Sequence, residues 1–435
     1  MALRSRRNVS PPRSDGAHRK LWGIAAGGAA LVTASGVVVS MATGTPPGPA
    51  PTAESPTHST PRSTADGVRE LHGVPVGHPH TRSGAKAAAA NYTIISSSSR
   101  YLTDQDARHE AVSVMAAHDA VEPLTRKTDE AADTAAGSLR GDAREVFAKD
   151  AVARTGVLSA NILSYNGGEA MVRLWTTTVR GSAAGHETPQ AGFESVTVTL
   201  TWESDDWKLK GSSVSSGLVA PIDTRQASNV AGDFADYVPS AAKDPVFSGA
   251  VTRDGFPSPY PRDEEGARAA AVSAAMLYGD SRFFTDEVWR HRMLAATASS
   301  EVLSSVTSDA DSTARLVAEN RGVGADGKTA DGSELLTRTA TLATRSIAFS
   351  GHAASVELWT ASVGGVAGKD ETQRPQVAFL RMTVDLVREN GTWRTTAVTP
   401  SDPLVPSAPG LQEADPAEGF ADVGGAGRAP ATATA

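Results

Sequence analysis

An internal duplication is the feature that most constrains what this chain can fold into. The segment GVPVGHPHTRSGAKAAAA at residues 73–90 recurs as GFPSPYPRDEEGARAAAV at 255–272, at a constant offset of 182 residues. The segment VRLWT at 172–176 recurs as VELWT at 356–360, at an offset of 184. Two copies of one unit predict two domains of the same fold in tandem.

Helices are predicted in the first part of each copy. Small apolar residues recur there at helical spacing, which predicts a first helix that buries one close-packed face: Ala85, Ala88, Ala89, Tyr92 and Ile95 in the first copy, and Ala267, Ala270, Ala271, Ala274 and Leu277 in the second. Thr81 or Ser83 would cap this helix near Gly84. A second helix is predicted to begin at Thr103 and, in the other copy, Thr285, with the threonine hydroxyl as its cap.

Strands are predicted in the second part of each copy. Apolar residues alternate there with polar ones, as in Val196, Val198, Leu200 and Trp202, which predicts one apolar and one polar sheet face. Asn390-Gly391 predicts a hairpin turn before Trp393, and Asp205-Asp206 stands at the matching place before Trp207. Helices followed by an antiparallel meander with one covered face make an α+β layer.

The N-terminal part of the chain predicts a membrane anchor. Residues 21–43 carry no charge, and as a helix they would extend roughly 34 Å at about 1.5 Å per residue, enough for a hydrocarbon core of about 30 Å. Residues 1–20 hold six cationic side chains against one aspartate, which predicts a cytoplasmic N-terminus and an extracytoplasmic body in the cell membrane. A cleavable signal peptide is the alternative, since Ser40 and Ala42 suit a signal peptidase.

The remaining boundaries follow from composition. Residues 44–67, rich in Pro, Thr and Ser, predict a flexible tether, and residues 406–435 predict a disordered tail. Between them we expect a first repeat domain at 68–222, a connector at 223–250 and a second repeat domain at 251–405. The connector contains Phe234, Tyr237, Val238 and Phe247, so we expect it to pack against the domains and to fix their mutual orientation.

Charge and composition exclude several function classes. The formal net charge is −8 although the first 20 residues are basic, so the rest of the chain is acidic and we expect no nucleic-acid binding. There is no cysteine, which excludes disulfides, thiol nucleophiles and cysteine zinc sites. His78 and His80 resemble a metal clip, but the second copy has Tyr260 and Arg262 there, so we expect no metal at that place and no cofactor.

Few side chains suggest catalysis. Asp104 with His109, and Asp286 with His291, recur in both copies, yet a spacing of five residues does not bring them onto one helix face. We therefore interpret them as a helix-start aspartate and a packed histidine. Glu187 and Glu371 recur within a predicted loop rich in small residues, where a solvated carboxylate is expected. We expect no catalytic residue and no enzyme activity.

Trp175 and Trp359 are the candidate interaction residues. Each shares the polar face of its strand with a charged residue, Arg173 or Glu357, opposite the Val-Leu pair. Large aromatic side chains on such a face are common anchors of protein interfaces. The alternative is that each packs against the other domain or against a covering loop.

The order of elements, ending in TLTWESDDWKLK and VDLVRENGTWRTT, resembles the nuclear-transport-factor-two-like fold, in which a curved sheet wraps around helices. An anchor, a tether and two such domains further resemble the TcpC-type conjugal transfer proteins, relatives of the bitopic inner-membrane scaffold subunit of type IV secretion systems. The helix with the GAxAAA pattern, the VxLWT strand and the Gly-x-Ala-x-x-x-Glu-Thr loop are similar to an uncharacterised actinobacterial membrane-protein family. Neither family supplies catalytic residues for this chain.

These observations predict a single-pass membrane protein that scaffolds an envelope complex for conjugation-like or secretion-like transfer. Its expected partners are the lipid bilayer at residues 21–43, other proteins of the complex and, as a homo-oligomer, further copies of itself. Two alternatives stay open: an extracytoplasmic enzyme or small-ligand binder that uses a cone cavity, and an accessory subunit of a lipid-import complex. A roomy polar cavity that contains Asp104 or Asp286 would favour the first alternative.

Overall fold

The computed structural model describes residues 69–137, 151–182, 189–222, 259–401, 403–406 and 417. The first repeat opens with a short hairpin, β1 (Arg69–Leu71) and β2 (Val74–Val76). Four helices follow: α1 (Arg82–Ser96), α2 (Ser99–Thr103), α3 (Gln105–Met115) and α4 (Val121–Gly137). Four strands complete the repeat: β3 (Ala151–Tyr165), β4 (Glu169–Ser182), β5 (Gln190–Glu203) and β6 (Asp206–Ser216).

From its first helix onward, the second repeat has the same order of helices and strands. Its helices are α5 (Glu264–Tyr278), α6 (Ser281–Thr285), α7 (Glu287–Thr297) and α8 (Leu303–Arg321). Its strands are β7 (Glu334–Phe349), β8 (Ala353–Ala367), β9 (Gln376–Glu389) and β10 (Thr392–Ser401). The strands of each repeat form a four-stranded antiparallel sheet in sequence order. The fold is therefore α+β, with helices before an antiparallel meander in each copy, as predicted.

The first helix of each repeat is fixed by the proline, glycine and tryptophan of the duplicated motif. Thr81 caps α1 by accepting a hydrogen bond from the Gly84 amide at 3.0 Å. Gly84 packs so closely on Pro79 that a Cβ there would lie 1.9 Å from the Pro79 carbonyl oxygen, so only glycine fits. The same carbonyl accepts from the Trp207 indole at 3.0 Å, which joins the motif to β6.

The second repeat builds the same joint from Pro261, Gly266 and Trp393. A Cβ at Gly266 would lie 2.1 Å from the Pro261 carbonyl oxygen. That oxygen accepts from the Trp393 indole at 2.8 Å. The duplicated residues therefore carry structure, and their spacing reflects a contact between the start of the first helix and the last strand of each sheet.

The cap of the second long helix differs from the prediction. Asp104 and Asp286 are the N-caps of α3 and α7, and accept from Ala107 and Trp289 amides at 3.0 and 2.9 Å. Thr103 and Thr285 close the preceding short helices, where their hydroxyls donate to carbonyls four residues earlier. The prediction of threonine caps is wrong by one residue, because a short helix ends immediately before each aspartate.

Each repeat has its own hydrophobic core between helices and sheet. The predicted faces of α1 and α5 are buried, with Ala85, Ala88 and Ala89 fully inaccessible in the first and Ala267 and Ala271 in the second. In the first repeat this face meets apolar residues of the sheet, Val172, Leu174, Val196, Val198 and Leu200. The second repeat pairs α5 with Val356, Leu358, Val384 and Leu386 in the same way.

A third apolar cluster lies between the two sheets. It combines residues of β3, β4 and β5, such as Leu158, Trp175 and Phe193, with residues of β7, β8 and β9, such as Leu342, Trp359 and Phe379. Strand β3 packs against β7 and β8. The polar faces expected from alternation are thus only partly solvated, and β8 is buried on both sides along most of its length.

Several predicted segments lie outside the described residues. These are the basic tail, the apolar segment 21–43, the tether, the connector 223–250 and nearly all of the C-terminal tail. Among the helices that the structure describes, none combines the length and apolar character needed to cross a bilayer. The chain just before the connector is described, and its Pro221 carbonyl accepts from the Val377 amide of β9 at 2.8 Å.

Candidate functional site

The two candidate tryptophans lie within the contact between the sheets. Trp175 is 4% exposed and Trp359 is fully buried. The Trp175 indole donates to the Leu218 carbonyl at 2.8 Å, and the Trp359 indole donates to the Leu404 carbonyl at 2.9 Å. Leu218 and Leu404 follow the last strand of their repeats, so each chain segment turns back over its tryptophan. Neither indole is on a free surface, and the arrangement matches the alternative stated for these tryptophans, in which each packs against the other domain and a covering segment.

The candidate Asp-His pairs do not meet in either repeat. His109 reaches Asp129 on α4, with Nε2 2.8 Å from the carboxylate, while Asp104 is occupied as a helix cap. His291 reaches Asp311 on α8 at 2.9 Å. Arginines complete both clusters: Arg108 Nε lies 2.8 Å from Asp129, and Arg290 Nε lies 2.9 Å from Asp311.

These two Arg-His-Asp clusters tie three helices together. The buried guanidinium of Arg108 also donates to the Tyr101 carbonyl at 3.0 Å, and that of Arg290 donates to the Phe283 carbonyl at 2.9 Å. Asp129 and Asp311 were missed in the sequence, although they stand at the offset of 182 shared by the rest of the helical part. Their recurrence was the signal that could have revealed them.

Charge and hydrogen bonding lower the pKa values of both Asp129 and Asp311. The hydrogen bond from His109, with help from Arg108, lowers the pKa of Asp129. Burial alone would raise the pKa of Asp311, but Arg290 and His291 outweigh it and the pKa is lowered. The carboxylates are therefore held ionised as ion-pair partners, which is the opposite of what a general acid near neutral pH requires.

One group of side chains has the composition of a metal site. The potential ligand atoms of Glu287, His291 and Asp311 lie within 4.8 Å of one another. Asp311 is already engaged by the Arg290 guanidinium at 2.6 Å and by His291, and the first repeat has Gln105 in place of Glu287. The geometry is that of an ion-pair cluster beside an exposed glutamate.

His78 and His80 point to separate partners. The buried His78 ring bonds Asp206 through Nδ1 at 2.9 Å and Asn91 through Nε2 at 3.1 Å. Burial alone would raise the pKa of Asp206, but the hydrogen bond and charge of His78 outweigh it and the pKa is lowered. The His80 ring stacks on Trp202 with centroids 4.0 Å apart. Both rings thus join the helical start of the repeat to its last hairpin.

A cleft opens in the first repeat between α1 and the sheet, with a volume of about 140 Å³. Its rim carries Arg180 and Glu194, whose charged atoms are 3.5 Å apart. Among the described residues the buried hydroxyl of Thr155, which lines the cleft, has no hydrogen-bond partner. Neither Asp104 nor Asp286 lines it.

The second repeat replaces several of the polar groups of this cleft, although Thr155 has a threonine counterpart in Thr339. At the repeat offsets Ser96 becomes Tyr278, Arg180 becomes Gly364 and Glu194 becomes Leu380. The Tyr278 ring is buried and meets Phe283 edge-on with centroids 5.0 Å apart. The polar cleft is therefore a property of the first repeat and was not a shared feature that the duplication could reveal.

Two exposed aliphatic residues occupy the same position in both repeats. Leu163 is 43% exposed and Ile347 is 55% exposed, at an offset of 184. Each is the extra residue of a β-bulge near the end of an edge strand, between Ile162 and Ser164 in β3 and between Ser346 and Ala348 in β7. Bulges re-aim a side chain away from the regular alternation, so both residues project outward. Glu371 is also exposed, and Glu187 lies outside the described residues.

Comparison with known proteins finds one family model that matches part of the chain and a distant solved structure. A family model described as a domain of unknown function, DUF8175, matches residues 26–235, which include most of the apolar segment, the tether and the first repeat. No curated protein matches. A solved structure titled "Ntf2 like protein involved in plasmid conjugation" aligns with 74% of this chain and 97% of its own at 9% identity, with a TM-score of 0.20.

Proposed function

We propose that this chain is a non-catalytic interaction protein whose two α+β repeats form one stiff extracytoplasmic body in an envelope complex of the conjugation or secretion kind. In this proposal each repeat is a variant of the nuclear-transport-factor-two-like fold, and residues 21–43 hold the body at the membrane. The observation that carries it is the shared apolar cluster between the sheets, because a buried contact of this kind fixes two domains relative to each other.

The side chains that could have supported an enzyme have structural partners instead. Asp104 and Asp286 cap helices, and His109 and His291 sit in ion-pair clusters. Such roles position helices, and none of these four side chains lines the cleft of the first repeat. The surface that remains for partners includes the outward bulges at Leu163 and Ile347.

Site-specific photo-crosslinking in cells tests this proposal. A photoreactive residue at Leu163 or Ile347 should give crosslinks to envelope proteins. The same residue at the exposed Ser213 of β6, which is regularly paired with Thr197 and is not a bulge residue, serves as the matched control. Protease added to intact protoplasts should remove the body and leave a small anchored fragment. Protection of the body, or crosslinks only to cytoplasmic proteins, would contradict the proposal.

A second candidate function is binding of a small polar molecule in the cleft of the first repeat. The unpartnered Thr155 hydroxyl and the Arg180–Glu194 rim favour it. The volume of about 140 Å³ is below the roughly 300 Å³ at which drug-sized ligand pockets begin, so only a few non-hydrogen atoms would fit. Thermal-shift screening of a small-metabolite library against the protein and against Thr155→Val tests this alternative, which requires a hit that the variant loses.

A further inference from the structure

Six pairs of residues buried between the sheets stand at corresponding positions of the two repeats. At the strand offsets of 184 and 186, every one of these pairs lies in the same apolar cluster: Val152 and Leu336, Leu158 and Leu342, Trp175 and Trp359, Val179 and Val363, Ala191 and Val377, Phe193 and Phe379. Each repeat therefore presents the same face of its sheet to the other. This is the arrangement of an isologous contact, which two identical subunits make across a two-fold axis.

One pair of corresponding residues identifies where that axis passes. A Cβ added to Gly156 would lie 2.7 Å from the Cβ of Ala340, its counterpart at the offset of 184. A residue can touch its own counterpart only close to the symmetry axis. The side chain of Leu342 lies near the same point, 3.3 Å from that added Cβ. The repeats thus meet as the subunits of a dimer would, with Gly156 and Ala340 at the centre.

We propose that the sheet face of the first repeat is a self-association surface, and that a first repeat from another chain can take the place of the second repeat. The occupant follows from the structure, since the second repeat is itself a copy of the first seated by matching residues. The match to the family model ends at residue 235, before the second repeat begins, so it covers a single unit that carries this face. The inference concerns the contact between repeats and does not depend on the envelope partners.

The residues on the axis predict how tightly the possible pairs of repeats bind to each other. Glycine against alanine leaves the sheets in contact with no room for a further Cβ at Gly156. Two first repeats would oppose glycine to glycine and leave a small gap, which costs packing but causes no clash. Two second repeats would oppose alanine to alanine, closer than Cβ atoms tolerate. The fused pair should be tightest, the first-repeat pair weaker and the second-repeat pair weakest.

Cleavage of the connector in the full chain tests this surface. A protease site is inserted within residues 223–250, and the chain is purified in detergent and cut while native. The halves should co-elute as a one-to-one complex although no peptide bond joins them. Halves that separate while each keeps its far-ultraviolet dichroism and cooperative melting would overturn the proposal.

Exchange between differently tagged chains tests the predicted order of binding strength among the pairs of repeats. After cleavage, tagged and untagged protein are mixed, and capture of the tagged first repeat should recover untagged second repeat and a smaller amount of untagged first repeat. Recovery of no first-repeat pair at tens of micromolar protein would overturn the proposed self-association. Gly156→Ala should reduce capture of the second repeat at least about fivefold, with Gly211→Ala, an open strand position, as the matched control. If the cut halves unfold, light scattering of the uncut Ala340→Trp variant tests the surface instead. Dimers of this variant would support the proposed surface, whereas monomers with an unchanged small-angle scattering curve would refute it.

Discussion

Exchanging the two residues on the pseudo-two-fold axis tests the contact between the sheets at a single point. In Gly156→Ala, the new methyl group would lie 2.7 Å from the Cβ of Ala340, closer than such atoms approach. Overpacking of this kind costs about 1 to 3 kcal/mol, from which the loss of glycine flexibility in the unfolded chain recovers about 0.4 to 1 kcal/mol. The free energy of unfolding should therefore fall by roughly 0.5 to 2 kcal/mol.

A control variant and a double variant show whether this loss of stability comes from the contact between Gly156 and Ala340. Gly211 lies in β6 with no atom within 4 Å of an added Cβ, so Gly211→Ala should leave the protein unchanged or raise its stability by about 0.4 to 1 kcal/mol. Adding Ala340→Gly to Gly156→Ala exchanges the pair across the axis and should restore most of the lost stability. Urea unfolding followed by fluorescence measures all four proteins. If Gly156→Ala were as stable as Gly211→Ala, or if the double variant were the least stable, the assigned contact would be wrong.

Three further predictions concern the clusters within each repeat. His78→Ala leaves the buried Asp206 charge without its main partner and should destabilise the protein by about 3 to 5 kcal/mol in urea unfolding. The triple change His78→Tyr, Asn91→Ser and Asp206→Thr installs the residues of the second repeat. This triple variant should be far more stable than the single variant His78→Tyr. Arg290→Ala should lower the melting temperature more than Arg290→Lys, because only the guanidinium reaches both Asp311 and the Phe283 carbonyl; equal losses would contradict this reasoning. The pKa values of Asp206 and Asp311 are lower in the folded than in the unfolded protein. Their stabilising contribution is therefore present above the unfolded pKa of about 3.9 and is lost as the pH falls through the folded values. Melting temperatures measured across pH 2 to 7 should drop steeply below about pH 4, and Asp311→Asn should make that drop less steep.

Much of the fold could be predicted because the duplication and the local chemistry agree. The small-residue face of the first helix predicted burial on one side, which the structure confirms at Ala85 and Ala267. Asn390-Gly391 forms the predicted turn, with φ of 52° and 81°, as a two-residue hairpin requires. At the matching place the turn uses Ser204 and Asp205, one residue earlier than predicted, so that Asp206 is free to bond His78.

The contact between the sheets could not be read from alternation alone. Bulges after Val157 and Thr341 shift each edge strand by one residue, so the face that meets the other sheet changes along the strand. Small residues such as Gly156 and Ala340 form the closest approach, and they give no hydrophobic signal in a sequence. The partners of His109 and His291 lie on another helix, which spacing along one helix cannot reveal.

Small-angle X-ray scattering of residues 68–405 tests the central claim that the two repeats form one body. Sheets held together by a shared apolar cluster predict a scattering curve that a single compact shape fits, with the same radius of gyration at low and high salt, since burial of apolar surface is not screened by ions. A curve that requires a broad ensemble of distances between the repeats would contradict the account, because it would show that residues such as Trp175 and Trp359 do not hold the sheets together in solution.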